Sequence, residues 1–153
     1  IMINAEILVE SKNWKKIISN PKRLILNTLK KFPKKHRFVN QKVYISVLFT
    51  TNKKIRLLNN RFRKKNEPTD ILSFPFYDKK NIKKNFKKKE FYLGDIVISC
   101  EEFSKKNKRD YKNGLIKIFI HGFLHLLNYD HRSNKDYLIM NSMENKIFQE
   151  VKG

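Results

Sequence analysis

Three of the chain's four histidines fall within eleven residues, HGFLHLLNYDH (121–131), inside one of its most apolar segments. His121 and His125 stand four apart, so on a helix their side chains leave the same face one turn apart. The run from Ile116 to Leu127 is apolar nearly all round, the pattern of a helix buried on most sides. Two buried imidazoles on one face need partners for all their ring nitrogens and cannot easily satisfy each other. A metal ion resolves this. It takes one neutral nitrogen from each ring at roughly 2.0–2.1 Å and leaves the other N–H for an acceptor behind it. The third ligand must come from outside the helix. Asn128 suits the left-handed conformation that ends helices, and Tyr129 and Asp130 can then reverse the chain and present His131 to the same point. Three histidines with an open fourth position make the pattern of a catalytic zinc site, one zinc per chain. His36, beside lysines in FPKKHRF, reads as an isolated surface residue.

The elements that must position this cluster are legible as alternation and helical spacing. Ile3, Ala5, Ile7 and Val9 alternate, so the chain opens with a half-buried strand. Asn20–Pro21 starts a helix that buries Ile25, Leu29 and Phe32 and stops at Pro33. Val43, Ile45, Val47 and Phe49 share one face of a second strand. A helix over 52–63 follows, with Ile55, Leu58 and Phe62 at helical spacing. DILSFPF (70–76) reads as a third strand at a sheet edge, because Pro75 cannot donate to a ladder. YLGDIVIS (92–99) reads as the fourth, and Ser99 with Glu102 makes a capping box for the next helix. The histidine-bearing helix spans about 113–127, and a last helix begins at Ser133 with Ile139, Met143 and Ile147 inward. Between the third and fourth strands, residues 79–89 hold seven lysines and read as a mobile, solvated loop that adds little to stability. The fold class is α+β: a single domain over 1–153, a small mixed β-sheet packed with helices, the histidine helix buried at its centre.

With 35 Lys and Arg against 14 Asp and Glu, the chain carries a formal charge of +21 and attracts polyanions, nucleic acid above all. A genome drifting toward Lys and Asn codons would produce the same excess, but the field is positive either way. One cysteine, Cys100, leaves no disulfide framework. Ile1 to Glu10 alternates where a signal peptide would be apolar, and no apolar run is long enough to span a bilayer, so a cytoplasmic protein without membrane contact is expected.

LNNRFRKKNEPTDILSFPF (58–76), LGDIVIS (93–99) and HGFLHLLNYDH, in that order, closely resemble the YbeY family of zinc-dependent endoribonucleases. The resemblance covers about 40–150 and departs from the usual pattern at Asn128 and Lys64, where glycine is common. It implies zinc ligands at His121, His125 and His131 and an important arginine at Arg63. It also implies single-strand RNA cleavage in small-subunit rRNA 3′-end maturation and ribosome quality control, with the small ribosomal subunit and its assembly factors as partners. On this reading a zinc-activated water attacks an RNA phosphodiester while Arg63 holds the phosphate. The base is unassigned, with Asp95 one candidate. Lys83, Lys84, Lys87 and Lys88 are candidate contacts to the RNA backbone.

Two alternatives stay open. The first is an rRNA-binding assembly factor with a mainly structural zinc. The second is a metallohydrolase of another substrate class, since the four-then-six histidine spacing is also that of the metzincin motif H-E-x-x-H-x-x-G-x-x-H. Gly122 stands where that motif has its general-base Glu.

Overall fold

A computed structural model describes residues 3–152; Ile1, Met2 and Gly153, and with them the first two positions of the expected alternation, lie outside the described residues. The chain runs β1 (Ile3–Val9), α1 (Trp14–Ile17), α2 (Pro21–Lys30), a 3-10 turn (Lys34–His36), β2 (Lys42–Thr50), α3 (Asn52–Arg63) and β3 (Ile71–Pro75). It continues through α4 (Lys79–Asn85), β4 (Glu90–Ser99), α5 (Cys100–Lys106), α6 (Tyr111–Leu126) and α7 (Asn134–Val151). The fold is mixed α+β, as its sequence pattern predicts.

The strands form one sheet in the order β1-β2-β4-β3, with β1, β2 and β4 parallel and β3 antiparallel at the edge. Ser99 N–H donates to Asp70 O and Phe76 N–H to Leu93 O, so the even-numbered residues of β3 pair with β4. Pro75 therefore turns its missing N–H to the open edge, where it disrupts no ladder bond. Strand β4 carries a bulge opposite Tyr44/Ile45, at Gly94, whose φ of 145° and close neighbours leave no room for a Cβ: Phe74 O would lie 2.4 Å from it. The bulge changes the phase of the alternation, so that Phe91 and Leu93 before it and Ile96 and Ile98 after it all reach the core.

One face of the sheet packs on α2 and α6, the other on α3. Fully buried Phe119, Ile120, Phe123 and Leu124 make α6 the centre of the main core. Each such side chain contributes roughly 1.5–3 kcal/mol by leaving water. Helix α1 was not foreshadowed by any periodicity. It exists around Trp14, which is buried, donates Nε1–H to Thr50 O (3.1 Å) and meets Phe49 edge-on at 4.9 Å. No helix among the described residues is long and apolar enough to cross a membrane.

Several expectations need correction. In α3, Phe62 is 57% exposed, while Asn59 takes an inward position and donates Nδ2–H to Glu67 O at 2.9 Å. In α7, Ile147 is buried and Met143 packs half-buried against the core as expected, but Ile139 faces out and Met140 takes the inward place, with Val151 beyond. Ser99 does occupy the N-cap of α5 but makes no capping bond. Its Oγ–H donates to Asn52 Oδ1 (2.5 Å) and Glu102 accepts from Asn52 Nδ2 (3.1 Å), so both expected capping residues tie α5 to the start of α3.

The lysine-rich segment is not a loop. Asp78 caps α4 through Asn81 N–H (2.9 Å), Ile82 and Asn85 are buried, and Phe86 packs against Phe38 and Phe91 at 5.6 and 5.5 Å. Gln41 Nε2 donates to the carbonyls of Phe86 and Lys88, and Lys42 N–H donates to Lys89 O at 2.8 Å. Two apolar residues four apart were enough to anchor one face of a short helix whose other positions are lysine and asparagine. His36 is likewise buried, its Nδ1 without a partner, and burial with the neighbouring Lys35 pushes its pKa down.

Candidate metal centre and its cleft

Helix α6 begins at Asp110, whose carboxylate accepts from Asn113 N–H (3.1 Å), and ends in a left-handed Asn128 at φ 68°. Tyr129 N–H donates to Leu124 O (3.0 Å) and Asn128 N–H to His125 O (2.9 Å), the paired bonds of a Schellman ending. The turn expected at Asn128 therefore forms, and it returns His131 to the face that carries His121 and His125. The three rings offer ligand atoms that all lie within 4.8 Å of one another.

The donor set fits a cation. His121 Nδ1 lies 2.5 Å from Glu144 Oε1, and His125 Nδ1 lies 2.9 Å from the Tyr129 carbonyl. Both neighbours are acceptors, so each Nδ1 carries the proton and each neutral ring turns an Nε2 lone pair inward. Those two Nε2 atoms face each other at 3.1 Å, two acceptors with no proton between them. Two nitrogens each about 2.0–2.1 Å from one tetrahedral ion would stand roughly 3.3 Å apart. Burial, with the adjacent His121 ring, pushes the His125 pKa down, which keeps its nitrogen available. A metal ion between the rings would satisfy this arrangement.

The histidines line one cleft of about 770 Å³ together with Arg63, Asp70, Ser73, Asp130 and Asp136. Arg63 reaches it from the last turn of α3, where Nη2–H donates to Ser73 O at 3.4 Å. Lys64 follows in the left-handed conformation (φ 59°), and its N–H bonds Asn60 O at 3.1 Å. Ser73 in turn donates Oγ–H to Gly122 O (3.0 Å), joining the edge strand to α6. A Cβ on Gly122 would stand 2.7 Å from Ile71 Cδ1 and 3.1 Å from Ser73 Oγ. A larger side chain there would have to displace Ile71 and Ser73, and the chain carries no glutamate at that position to serve as the base of a metzincin-type peptidase.

Asp95 and the four candidate lysines lie outside the cleft, and Asp130 lies within it. Asp95 accepts hydrogen bonds from Ser46 and Tyr92, and burial plus that carboxylate push the Tyr92 hydroxyl up to about 12. Asp95 is not among the residues lining the cleft. Lys83, Lys84, Lys87 and Lys88 are exposed on and just after α4 and do not line it either, whereas Lys79 does. Asp130 accepts from His131 N–H (2.8 Å) and pairs with Arg132 (2.8 Å). Burial alone would raise its carboxyl; that N–H, Arg132 and the nearby rings together hold it below the usual carboxylate range. Glu144 escaped the sequence reading, although a signal existed: it lies four residues after buried Met140 and three before buried Ile147, a carboxylate on an otherwise apolar stripe.

A small mixed sheet with helices on both faces, and a three-imidazole cluster that could hold a metal ion in one cleft with an arginine, defines an α+β protein with a candidate metal centre. The sequence profile described as Endoribonuclease YbeY matches residues 8–152, so the chain belongs to the endoribonuclease YbeY family, a nuclease class. It is 44% identical to the Endoribonuclease YbeY of Pelagibacter ubique, over 99% of this chain and 97% of that protein. The Wolbachia counterpart is 32% identical over 95% and 94%. The solution structure of a Thermotoga maritima protein superposes with a TM-score of 0.57 at 27% identity, covering 97% of this chain and 89% of that one.

Proposed function

We propose that the whole chain acts as one zinc-dependent endoribonuclease domain on single-stranded RNA. The observation that carries this reading is the facing pair of Nε2 atoms, 3.1 Å apart, with both Nδ1 atoms already committed and Arg63 in the same cleft. His121, His125 and His131 would hold the ion; three imidazoles favour zinc over hard cations, and zinc so bound supplies Lewis acidity that brings water toward neutral pKa. Arg63 binds the phosphate as a two-pronged donor and stabilises charge developing on its oxygens. Glu144 and the Tyr129 carbonyl hold the imidazoles in one tautomer and orientation. Of the cleft carboxylates, Asp70 pairs with Lys106 (3.3 Å) and Asp130 with Arg132, which leaves the Asp136 carboxylate to accept a proton.

Family resemblance extends the proposal to small-subunit rRNA 3′-end maturation and ribosome quality control in the cytoplasm, with the small ribosomal subunit and its assembly factors as partners. The charge of +21 suits such a polyanion, and Lys83, Lys84, Lys87 and Lys88 would follow its backbone outside the cleft. The test is cleavage of end-labelled single-stranded RNA by wild type, His125→Ala and Arg63→Ala. Cleavage lost in both variants, with zinc lost only in the first, is the expected result. Undiminished cleavage in either variant would overturn the assignment.

A further inference from the structure

Next to the metal cleft lies a second hollow of about 590 Å³ that shares Pro75 and Asn128 with it and is otherwise built by Phe76, Tyr77 and the start of α4. Its aromatic component is Phe76, 62% exposed yet held between Tyr77 (5.0 Å, 89°) and Tyr92 (5.5 Å, 80°). Its polar component is a pair of side-chain amides. Asn128 donates Nδ2–H to Tyr77 O at 2.8 Å, and buried Asn85 donates Nδ2–H to Asn81 O at 2.8 Å. Those bonds fix which end of each amide is nitrogen, and each amide keeps its carbonyl oxygen and one further N–H for a ligand. The hollow thus combines an aromatic ring for stacking with hydrogen-bond acceptors and donors, and it opens beside the place where Arg63 would hold a phosphate.

We propose that this hollow is a nucleobase subsite, which seats the nucleotide flanking the phosphate in the metal cleft. The inference rests on the RNA-cleavage reading and deepens it. A base stacks on Phe76 regardless of its identity, since every base has a π-face. The amides of Asn128 and Asn85 can accept from an exocyclic amino group or donate to a base carbonyl, so they hold a base edge without selecting one. Asn128 has a dual role. It ends α6 in the left-handed conformation, as glycine would, and its side chain adds a group that glycine cannot supply.

The test is equilibrium binding of labelled dA, dC and dU hexanucleotides, which present these bases without being ribonuclease substrates, to the zinc-loaded full chain. Wild type should bind all three alike, because the stack carries the binding. Phe76→Ala should weaken all three by about tenfold, and Phe76→Trp should restore them. Asn128→Gly keeps the backbone turn and removes one hydrogen bond to the base edge, so it should weaken all three by about fivefold. Wild-type affinity in Phe76→Ala overturns the subsite. Cleavage of RNA is measured alongside. No cleavage with the Phe76 effect on binding intact would sink the nuclease reading and support the subsite; cleavage with no effect of Phe76 on binding would sink the subsite alone.

Discussion

The two helices that deliver the cleft's functional groups end alike at the backbone and differently at the side chain. Helix α6 closes on Asn128 at φ 68° and α3 on Lys64 at φ 59°, both left-handed, directly before or after the residues that matter. Asn128 is half-buried and its amide bonds the Tyr77 carbonyl, so the strained backbone is repaid by a tertiary contact. Lys64 is exposed, and its side chain makes no bond to offset the conformation. The metal wall of the cleft is therefore held by a buried helix, a Schellman ending and acceptors behind two of its three rings. The arginine wall hangs from an exposed helix end through one 3.4 Å contact to Ser73. Metal binding asks for a rigid wall, while gripping a phosphate tolerates an arm that adjusts.

That contrast can be broken at several strengths. The largest effect belongs to the rigid wall: His125→Ala should lose most of its bound zinc, and melting should fall by several degrees as the remaining rings lose their common partner. Full zinc retention by atomic absorption would show that the cluster is not the metal site. On the arginine wall, Arg63→Ala should keep zinc content and melting temperature but cleave RNA at least about tenfold more slowly, and Arg63→Lys should recover only part of this, because an ammonium cannot make a two-pronged contact. Equal rates in all three proteins would return Arg63 to a solvated helix end.

The difference between the two endings is itself measurable. Lys64→Gly should stabilise the chain by about 0.5–1 kcal/mol, since glycine removes most of the left-handed penalty. That corresponds to a rise of about 1–4 °C in melting temperature for a chain of this size. Asn128→Gly should bring no such gain, because the bond to Tyr77 is lost. Equal gains at both sites would erase the distinction drawn between them. Smaller again is the effect of charge on α4. Neutralising Lys83, Lys84, Lys87 and Lys88 should flatten the salt dependence of RNA binding by about 0.7 per lost contact and leave melting unchanged. Superimposable slopes would remove these lysines from the RNA path.

The smallest expected effect is at His36, remote from the cleft. Burial holds its pKa below the ordinary value, so the folded chain keeps it neutral while the unfolded chain takes up a proton near about 6.5. Its contribution to stability is thus present above that pH and is lost as pH falls below it. His36→Leu should be flatter than wild type in denaturant titrations between pH 7 and 5; parallel curves would place a partner on its unpaired Nδ1.

The same contrast explains what the sequence disclosed. The metal wall was legible because its parts are local: two histidines one turn apart, an asparagine suited to the turn, and a third histidine within reach. Strands β1 and β2 were legible from simple alternation. What could not be read depended on contacts distant in sequence. Glu144 becomes a partner of His121 only once α7 is rotated so that Met140 and Ile147 face inward. Asp95 looked available for catalysis until β2 placed Ser46 beside it, on a site away from the cleft. In α4, lysines masked the Ile82 and Phe86 anchors, which find their pocket against Phe38 and Phe91. Burial of His36 arises in the same way, from tertiary packing that no local pattern announces.

The most direct test of the central claim is the rate of single-stranded RNA cleavage by the purified chain before metal removal, after chelation and dialysis, and after one equivalent of zinc is returned. The account predicts activity in the first state, its loss in the second and its recovery in the third, with recovery absent in His121→Ala. Cleavage by the metal-free chain at the original rate would contradict it.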